Sequence, residues 1–257
     1  MKKIVKCKIV KCISRAAFDF SFPYNILALI TNPFFFVRRN LYKNVKLHSS
    51  YLNGKLLDFG CGCKPYKSLL VDVREYIGLD IDDRGLDHTN SVIDVYYDGE
   101  TIPFEDEYFD SMFSTEVYEH VPNLARIVPE MNRVLKIGGV MLVTAPLVWN
   151  EHGVPWDFQR FTKYGLINLL EKNGFEIIKT NTATSYVEMI FQMWMEYLRR
   201  SFEKICSKGL FTLFIQVLLI FPAALIGCIV SFILPKDDSL YGDTVVICRK
   251  VRNKKWD

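Results

Sequence analysis

Residues 56–66, LLDFGCGCKPY, constrain this chain more than any other stretch. An apolar pair, Leu56 and Leu57, runs into Asp58, then Phe59, Gly60, Cys61 and Gly62, and the chain turns at Lys64-Pro65. An apolar strand that ends in a glycine turn and opens a helix is the nucleotide-cofactor corner of a doubly wound sheet. Glycine lets the backbone take positive φ values and approach a ligand closely. Pro65 suits a first helical position, where its missing N–H would have no partner. The spacing narrows the cofactor. A G-x-G-x-x-G fingerprint would place a glycine at position 65, and no Gly-Lys-Ser/Thr follows to cradle a triphosphate. What remains is acid-x-Gly-x-Gly.

Behind that corner, strands and helices alternate as a parallel sheet requires. Strands are expected at Lys55–Phe59, Glu75–Asp80, the first part of 91–110, Phe109–Thr115, Val140–Ala145, Phe175–Thr180 and Thr244–Arg249. Helices are expected at Pro65–Val71, at about 124–136 with Gly138-Gly139 ending it, and between a Thr162 cap and a Gly174 stop. Asp80 ends the second strand, 20 residues after Gly60, with Asp82 and Asp83 following at once. An acid at that place accepts hydrogen bonds from ribose hydroxyls, or is simply a turn residue. Asp98-Gly99 reads as a tight turn. Glu130 and Arg133 share a helix face and are expected to pair. Glu119-His120 follows the C-terminal end of a strand, where ligands of open α/β sheets bind. His120 is read as a cofactor or substrate contact, a proton acceptor, or a helix-capping or packing residue. The loop 149–162, WNEHGVPWDFQRFT, adds His152, Trp156, and an Asp157–Arg160 pair that is either structural or substrate-facing.

As a set, Asp58-x-Gly60-x-Gly62, Asp80, DGETIPF at 98–104, Glu-His-Val at 119–121, Glu130, Arg133-Val134-Leu135 and Gly138-Gly139 resemble the class I S-adenosylmethionine-dependent methyltransferases, most closely their type 11 subgroup. The resemblance covers roughly residues 51–180. It implies an α/β fold, a doubly wound, Rossmann-like seven-stranded sheet whose last strand inserts antiparallel. It implies S-adenosyl-L-methionine as cofactor, with Asp58 at its amino-acid end, Gly60 and Gly62 passing beneath, Asp80 on the ribose, and Asp98 with Gly99 at the adenine amino group. Glu116 is placed on the cofactor side, and Asp94 is a second choice for the adenine contact. Many members carry a third glycine where this chain has Lys64. The 149–162 loop is similar to loops of methyltransferases encoded with glycan-assembly genes, which implies a cover over the acceptor. The catalytic candidates are His120, His152 and Asp157, and the substrate-side candidates Trp156 and Arg160. No metal-ligand spacing is evident, and no metal is expected, unlike in the metal-dependent catechol type. Sulfonium methyl transfer needs alignment above all, with one of the three catalytic candidates as base for a hydroxyl acceptor.

Charge and hydropathy describe the rest. Residues 1–46 carry ten Lys/Arg against one acid, residues 47–244 carry a net −10, and residues 245–257 a net +4. An acidic body with basic ends, lacking a basic stripe, points to a membrane surface rather than nucleic acid. The seven cysteines lack paired zinc spacing, and reduced thiols are expected. No cleaved secretory signal is expected. Residues 18–37 are too broken by Pro23, Pro33 and polar side chains to span a bilayer, so interfacial helices or a helix packed on the domain are expected. Between the sixth and last strands, residues 209–234 carry no charge. Because both flanking strands should share one sheet, membrane crossings there must be even in number or zero. Pro222 is expected to break the run into halves of about 12 residues, each rising about 18 Å. A re-entrant or interfacial hairpin is the leading expectation; a true span paired with 186–204 and a buried or dimer-forming helical pair are the others. The expected organisation is 1–46 membrane-proximal helices, 47–185 core, 186–237 insert and 238–257 last strand and tail. The reading is a methyltransferase on the cytoplasmic side of a membrane, acting on a small-molecule, glycan or lipid-linked acceptor. The alternatives are a non-catalytic membrane scaffold of the same fold and, weakened by Pro65, a nicotinamide dehydrogenase.

Overall fold

The computed structural model describes residues 26–81, 92–203 and 214–253. The chain divides into two compact units: Asn44–Thr182 with Asp243–Asp257, and Met1–Lys43 with Ala183–Gly242. The predictions for residues 1–25, and for Asp82 and Asp83, lie outside the described residues.

The first unit is built on seven strands: β1 Gly54–Phe59, β2 Val73–Ile81, β3 Val95–Tyr97, β4 Phe109–Thr115, β5 Leu135–Pro146, β6 Phe175–Ala183 and β7 Asp243–Lys250. Their order is β3-β2-β1-β4-β5-β7-β6. Strands β3, β2, β1, β4 and β5 pair in parallel, and β7 runs antiparallel to β5. Central parallel strands are covered on both faces and therefore read as continuous apolar runs. Leu56, Leu57, Phe59, Met112, Phe113, Met141 and Val143 are accordingly buried. Each such side chain contributes about 1.5–3 kcal/mol by leaving water. The chain reverses its winding between β1 and β4, which opens a crevice at the carboxyl ends of those strands.

Two local expectations are corrected. The stretch expected as a helix at Pro65–Val71 forms only a 3-10 turn at Lys67–Leu69. Tyr66 and Leu70 are buried while Lys67 and Ser68 are exposed, so one turn already buries what the segment has to bury. Gly138-Gly139 does not end a helix. The α-helix Leu124–Val134 passes directly into β5 at Leu135, and the glycines form a bulge within that strand. The register steps from Phe109↔Leu135 to Ser111↔Val140, with Gly138 at φ +81°. The Thr162 cap is as expected: its Oγ1 accepts from Gly165 N at 3.0 Å and starts the helix Lys163–Lys172.

The second unit is helical. Its described helices are Ile26–Thr31, the start of Phe35–His48, Tyr186–Glu203, and a run through Gln216–Ile233. Gln192, fully buried, ties two of them: its Oε1 accepts from Phe36 N at 3.1 Å and its Nε2 donates to Pro33 O at 2.8 Å. Gly227 allows close packing, since a Cβ there would lie 2.8 Å from Phe36 and Phe191. Pro222 does not break the helix. A π-helical turn, Gln216–Ile220, precedes it and widens the backbone around Leu218, the residue whose carbonyl the proline ring would crowd. The run therefore stays one helix rather than two halves.

Candidate active site

Each parallel strand delivers a glycine turn or a polar side chain to the same edge of the sheet. Gly60 and Gly62 follow β1, Asp80 closes β2, Asp98 follows β3, Glu116 follows β4, and the loop with His152 follows β5.

The glycine turn is held by β2. Gly60 N and Cys61 N donate to Leu79 O at 2.8 and 3.1 Å, and Gly62 N donates to Asp80 Oδ2 at 2.9 Å. Gly60 has φ +72°, and a Cβ there would sit 2.3 Å from Val117 Cγ2, so the position admits only glycine. A Cβ at Gly62 would meet nothing within 4 Å, so the backbone there faces open space. Lys64, at the place of the family's third glycine, takes the glycine conformation itself, with φ +54°. Its chain runs over Gly78, which has no side chain to block it, into an ion pair with Asp94. Asp94 also accepts from Gly78 N at 2.7 Å. Asp94 Oδ2 thereby serves the turn. Asp58 is 3% exposed and accepts a hydrogen bond from Tyr76 Oη. Burial pushes its carboxyl up to about 7.

Asp80 Oδ1 accepts from Ile81 N at 2.9 Å, and each carboxylate oxygen retains a second lone pair. Asp98 Oδ1 accepts from Glu100 N and Thr101 N, both at 2.8 Å, and these bonds hold its carboxyl below the usual range. The loop behind it is clamped by Arg133, which binds Glu130 and the carbonyls of Ile102 and Phe104. An open glycine turn with paired acids at the next two strand ends fits a nucleoside cofactor.

On the other side of the crevice lies a second group. Glu116 Oε1 accepts from Thr144 Oγ1 at 2.7 Å. Burial raises the carboxyl groups of both Glu116 and Asp243, and each senses the other. Gln159 Nε2 donates to Tyr118 O and Val121 O, and Phe158 N to Glu119 O, which fastens the 149–162 loop to the turn after β4. That fastening brings together His120 and His152, with Nε2 atoms 3.1 Å apart. Glu119 lies beside both, 0% exposed, and neither carboxylate oxygen has a hydrogen-bond partner. Asp157 is spent on Arg160, at 2.5 and 2.8 Å, and on His152 N at 2.9 Å. The Arg160 pairing holds the Asp157 carboxyl well below its usual range. Arg160 also donates to Gln159 O and Asn150 O, so the pair braces the loop. Trp156 is partly exposed on the loop, and its carbonyl oxygen meets His120 Nδ1. Sequence reasoning missed Asp243 and Tyr76 as members of these groups, and placed Glu119 at a ligand-binding strand end without giving it a role. A Glu next to His120 was visible, but nothing in the sequence showed that its carboxylate is buried.

Residues 57–143 match the family model described as a methyltransferase domain, of the type 11 subgroup. The chain is 31% identical over 114 residues to the phthiotriol/phenolphthiotriol dimycocerosates methyltransferase 1 of Mycobacterium ulcerans, covering 41% of this chain and 42% of that one. It is 32% identical over 136 residues to a protein of Mycolicibacterium smegmatis named for S-adenosylmethionine-dependent methyl transfer, covering 49% and 53%. The chain thus spans about half, or less, of the length of the curated relatives it matches. Among solved structures, phosphoethanolamine N-methyltransferase 2 of Haemonchus contortus in complex with S-adenosyl-L-methionine superposes with TM-score 0.52 at 15% identity, over 92% of this chain and 57% of that one. That likeness is one of fold. The motifs and the strand order therefore agree with the methyltransferase-domain model that residues 57–143 match.

Proposed function

We propose that the chain transfers a methyl group from S-adenosyl-L-methionine to a lipid or lipid-linked acceptor at a membrane surface. The observation that carries the cofactor side is the open glycine turn pinned to Asp80, with a second acid, Asp98, at the next strand end. Asp80 would hold the ribose through its free lone pairs, and the Gly60–Gly62 backbone would pass beneath the amino-acid end. The cofactor supplies a methyl on a positively charged sulfur, so the protein needs no nucleophile of its own. Its residues align the acceptor, and alignment of this kind lowers a barrier by about 7–11 kcal/mol.

The membrane side rests on the helical unit. Gln216–Ile233 is long and apolar enough to cross a bilayer. Its 18 residues rise about 27 Å at 1.5 Å each, close to the hydrocarbon thickness. One face packs through Ile220, Ala223, Ala224 and Gly227, while Leu218, Leu225, Ile226, Ile229, Phe232 and Ile233 are exposed. The partner helix Tyr186–Glu203 carries Glu188, Glu196 and Arg199, which a bilayer core would not accept, and an exposed, stacked Trp194–Tyr197 pair. Both β6 and β7, which flank this insert, belong to one sheet, so a single crossing is ruled out by connectivity. These observations support a helix lying in the interface, and the cytoplasmic side is part of the proposal. The relative named for phthiotriol dimycocerosates, a lipid methyltransferase by its name, supports a lipid acceptor.

The test is calorimetric titration of detergent-solubilised protein with S-adenosyl-L-methionine, beside Asp80→Ala. Micromolar binding weakened at least tenfold by the substitution is expected. Folded wild-type protein that takes up no cofactor would overturn the reading and leave the scaffold alternative.

A further inference from the structure

We propose that Glu119, His120 and His152 form a binding site for a divalent transition-metal ion of the zinc class. The inference deepens the acceptor side of the proposed methyl transfer, but it stands on its own geometry.

Three ligand atoms converge. His120 Nε2 and His152 Nε2 are 3.1 Å apart, and Glu119 Oε1 lies 3.7 Å from the first and 3.8 Å from the second. Ligands about 2.0–2.1 Å from a tetrahedral ion stand roughly 3.3–3.4 Å from one another. The 3.1 Å separation of the two rings also suits a hydrogen bond, but with Glu119 Oε1 at 3.7 and 3.8 Å one ion can reach all three atoms at ligand distance.

The tautomers point the same way. His120 Nδ1 faces the carbonyl oxygen of Trp156, and His152 Nδ1 faces that of Asn150 at 3.2 Å. A carbonyl oxygen only accepts, so each Nδ1 carries the hydrogen. In the neutral rings both Nε2 atoms then present bare lone pairs to each other. Lone pairs at 3.1 Å repel unless a cation lies between them. Nδ1–H donation to backbone carbonyls is also how metal-bound imidazoles are fixed in structures generally. Asp157, 3.5 Å from His152 Nδ1 and hydrogen-bonded to His152 N, steadies the second ring from outside.

Glu119 supplies the remaining requirement. It is 0% exposed, and both its oxygens lack a hydrogen-bond partner. A buried carboxyl without a partner is driven to its neutral form unless a cation compensates its charge. The two terminal nitrogens of Arg160 go to Asp157 and two carbonyls, and no Arg160 donor hydrogen-bonds Glu119. A metal ion at the two imidazoles would satisfy Glu119 and the imidazoles together. Two nitrogens and one carboxylate suit zinc or its first-row neighbours over magnesium and calcium, which prefer all-oxygen shells. Three protein ligands leave a coordination position for an oxygen, from water or from an acceptor hydroxyl. The separation of 32 positions between His120 and His152 hid the set from any spacing motif.

The experiment uses the full chain in detergent, stripped with chelator and then titrated with zinc and, separately, with cobalt(II). One zinc per chain is expected, with cobalt giving the intense visible absorption of a four- or five-coordinate site. His152→Ala and His120→Ala should each weaken zinc binding at least 100-fold and abolish that absorption. Glu119→Gln, which keeps the side chain's shape, should weaken it at least tenfold, and His48→Gln, away from the cluster, should leave it unchanged. Failure of the folded wild type to bind zinc, or binding that survives the double variant H120A/H152A, would overturn the proposal and leave a proton shared between the two rings. Metal binding is read without methyl transfer, so loss of this site and loss of cofactor binding are separate results.

Discussion

Arg133 offers the sharpest test of how the cofactor-side loop is held. All five of its donors are used. Nε and Nη2 grip Glu130 at 2.8 Å each, Nη1 binds Phe104 O and Asp106 at 2.8 Å, and Nη2 binds Ile102 O at 2.9 Å. Glu130 is 6% exposed and also accepts from Ile102 N at 3.0 Å. Arg133→Met keeps the apolar stem and removes the guanidinium. The Asp106 arm is 75% exposed and contributes little. Leaving Glu130 buried and unpaired costs about 3–5 kcal/mol, a figure that already includes the mismatch at its neighbours. Against a total stability of about 5–15 kcal/mol this is a large loss. Urea unfolding followed by circular dichroism should show it, together with weaker cofactor binding as the Asp98 turn loosens. The double variant E130Q/R133M should recover at least 1 kcal/mol of the loss, because it removes the stranded charge. A single-variant loss below about 1 kcal/mol, or a double variant no more stable than the single, would refute the reasoning.

Three further outcomes follow from the geometry. Burial raises the Asp58 carboxyl from 3.8 to about 7, so folding favours its protonated form. The contribution is fully present below the ordinary carboxylate range and is lost as pH rises through 7, by up to about 4 kcal/mol. Asp58→Asn should therefore gain stability relative to wild type in thermal melts from pH 5 to pH 8, and a difference that does not change with pH would count against it. Gly60→Ala forces a Cβ to 2.3 Å from Val117 at a positive φ, and should cost about 1–3 kcal/mol in a urea melt and at least tenfold in cofactor affinity. Ile229→Asp with Phe232→Asp, both on exposed positions, should abolish flotation with anionic lipid vesicles while leaving the circular dichroism of the protein unchanged; flotation equal to wild type would remove the apolar helix face from the membrane argument.

The strands were legible because a central parallel strand needs apolar residues on both faces, and that requirement is local. The observed β1, β4, β6 and β7 begin within a residue or two of where the apolar runs begin. Gly60, Gly62 and Asp80 were legible for a similar reason: turn chemistry and a separation of 20 residues are properties of the chain itself. Where the sequence misled, packing had intervened. Pro65–Val71 needed no helix once Tyr66 and Leu70 were buried by one turn. Gly138-Gly139 suits a helix stop as well as a bulge, and only pairing with β4 chose between them. Pro222 was absorbed by a π turn because Ile220, Ala223 and Ala224 pack on either side of it.

The sequence by itself determined the sheet, its glycine turn and the acids at the strand ends, since each depends on residues near one another in the chain. Only the tertiary structure decided what the polar residues do. It gave Lys64 to Asp94 and Tyr76 to Asp58, and it made the Asp157–Arg160 pair a brace of its loop. It also set a buried, unpaired Glu119 beside two imidazoles drawn from different strand ends. Burial and the facing of lone pairs are relations between distant segments, and no window of sequence contains them.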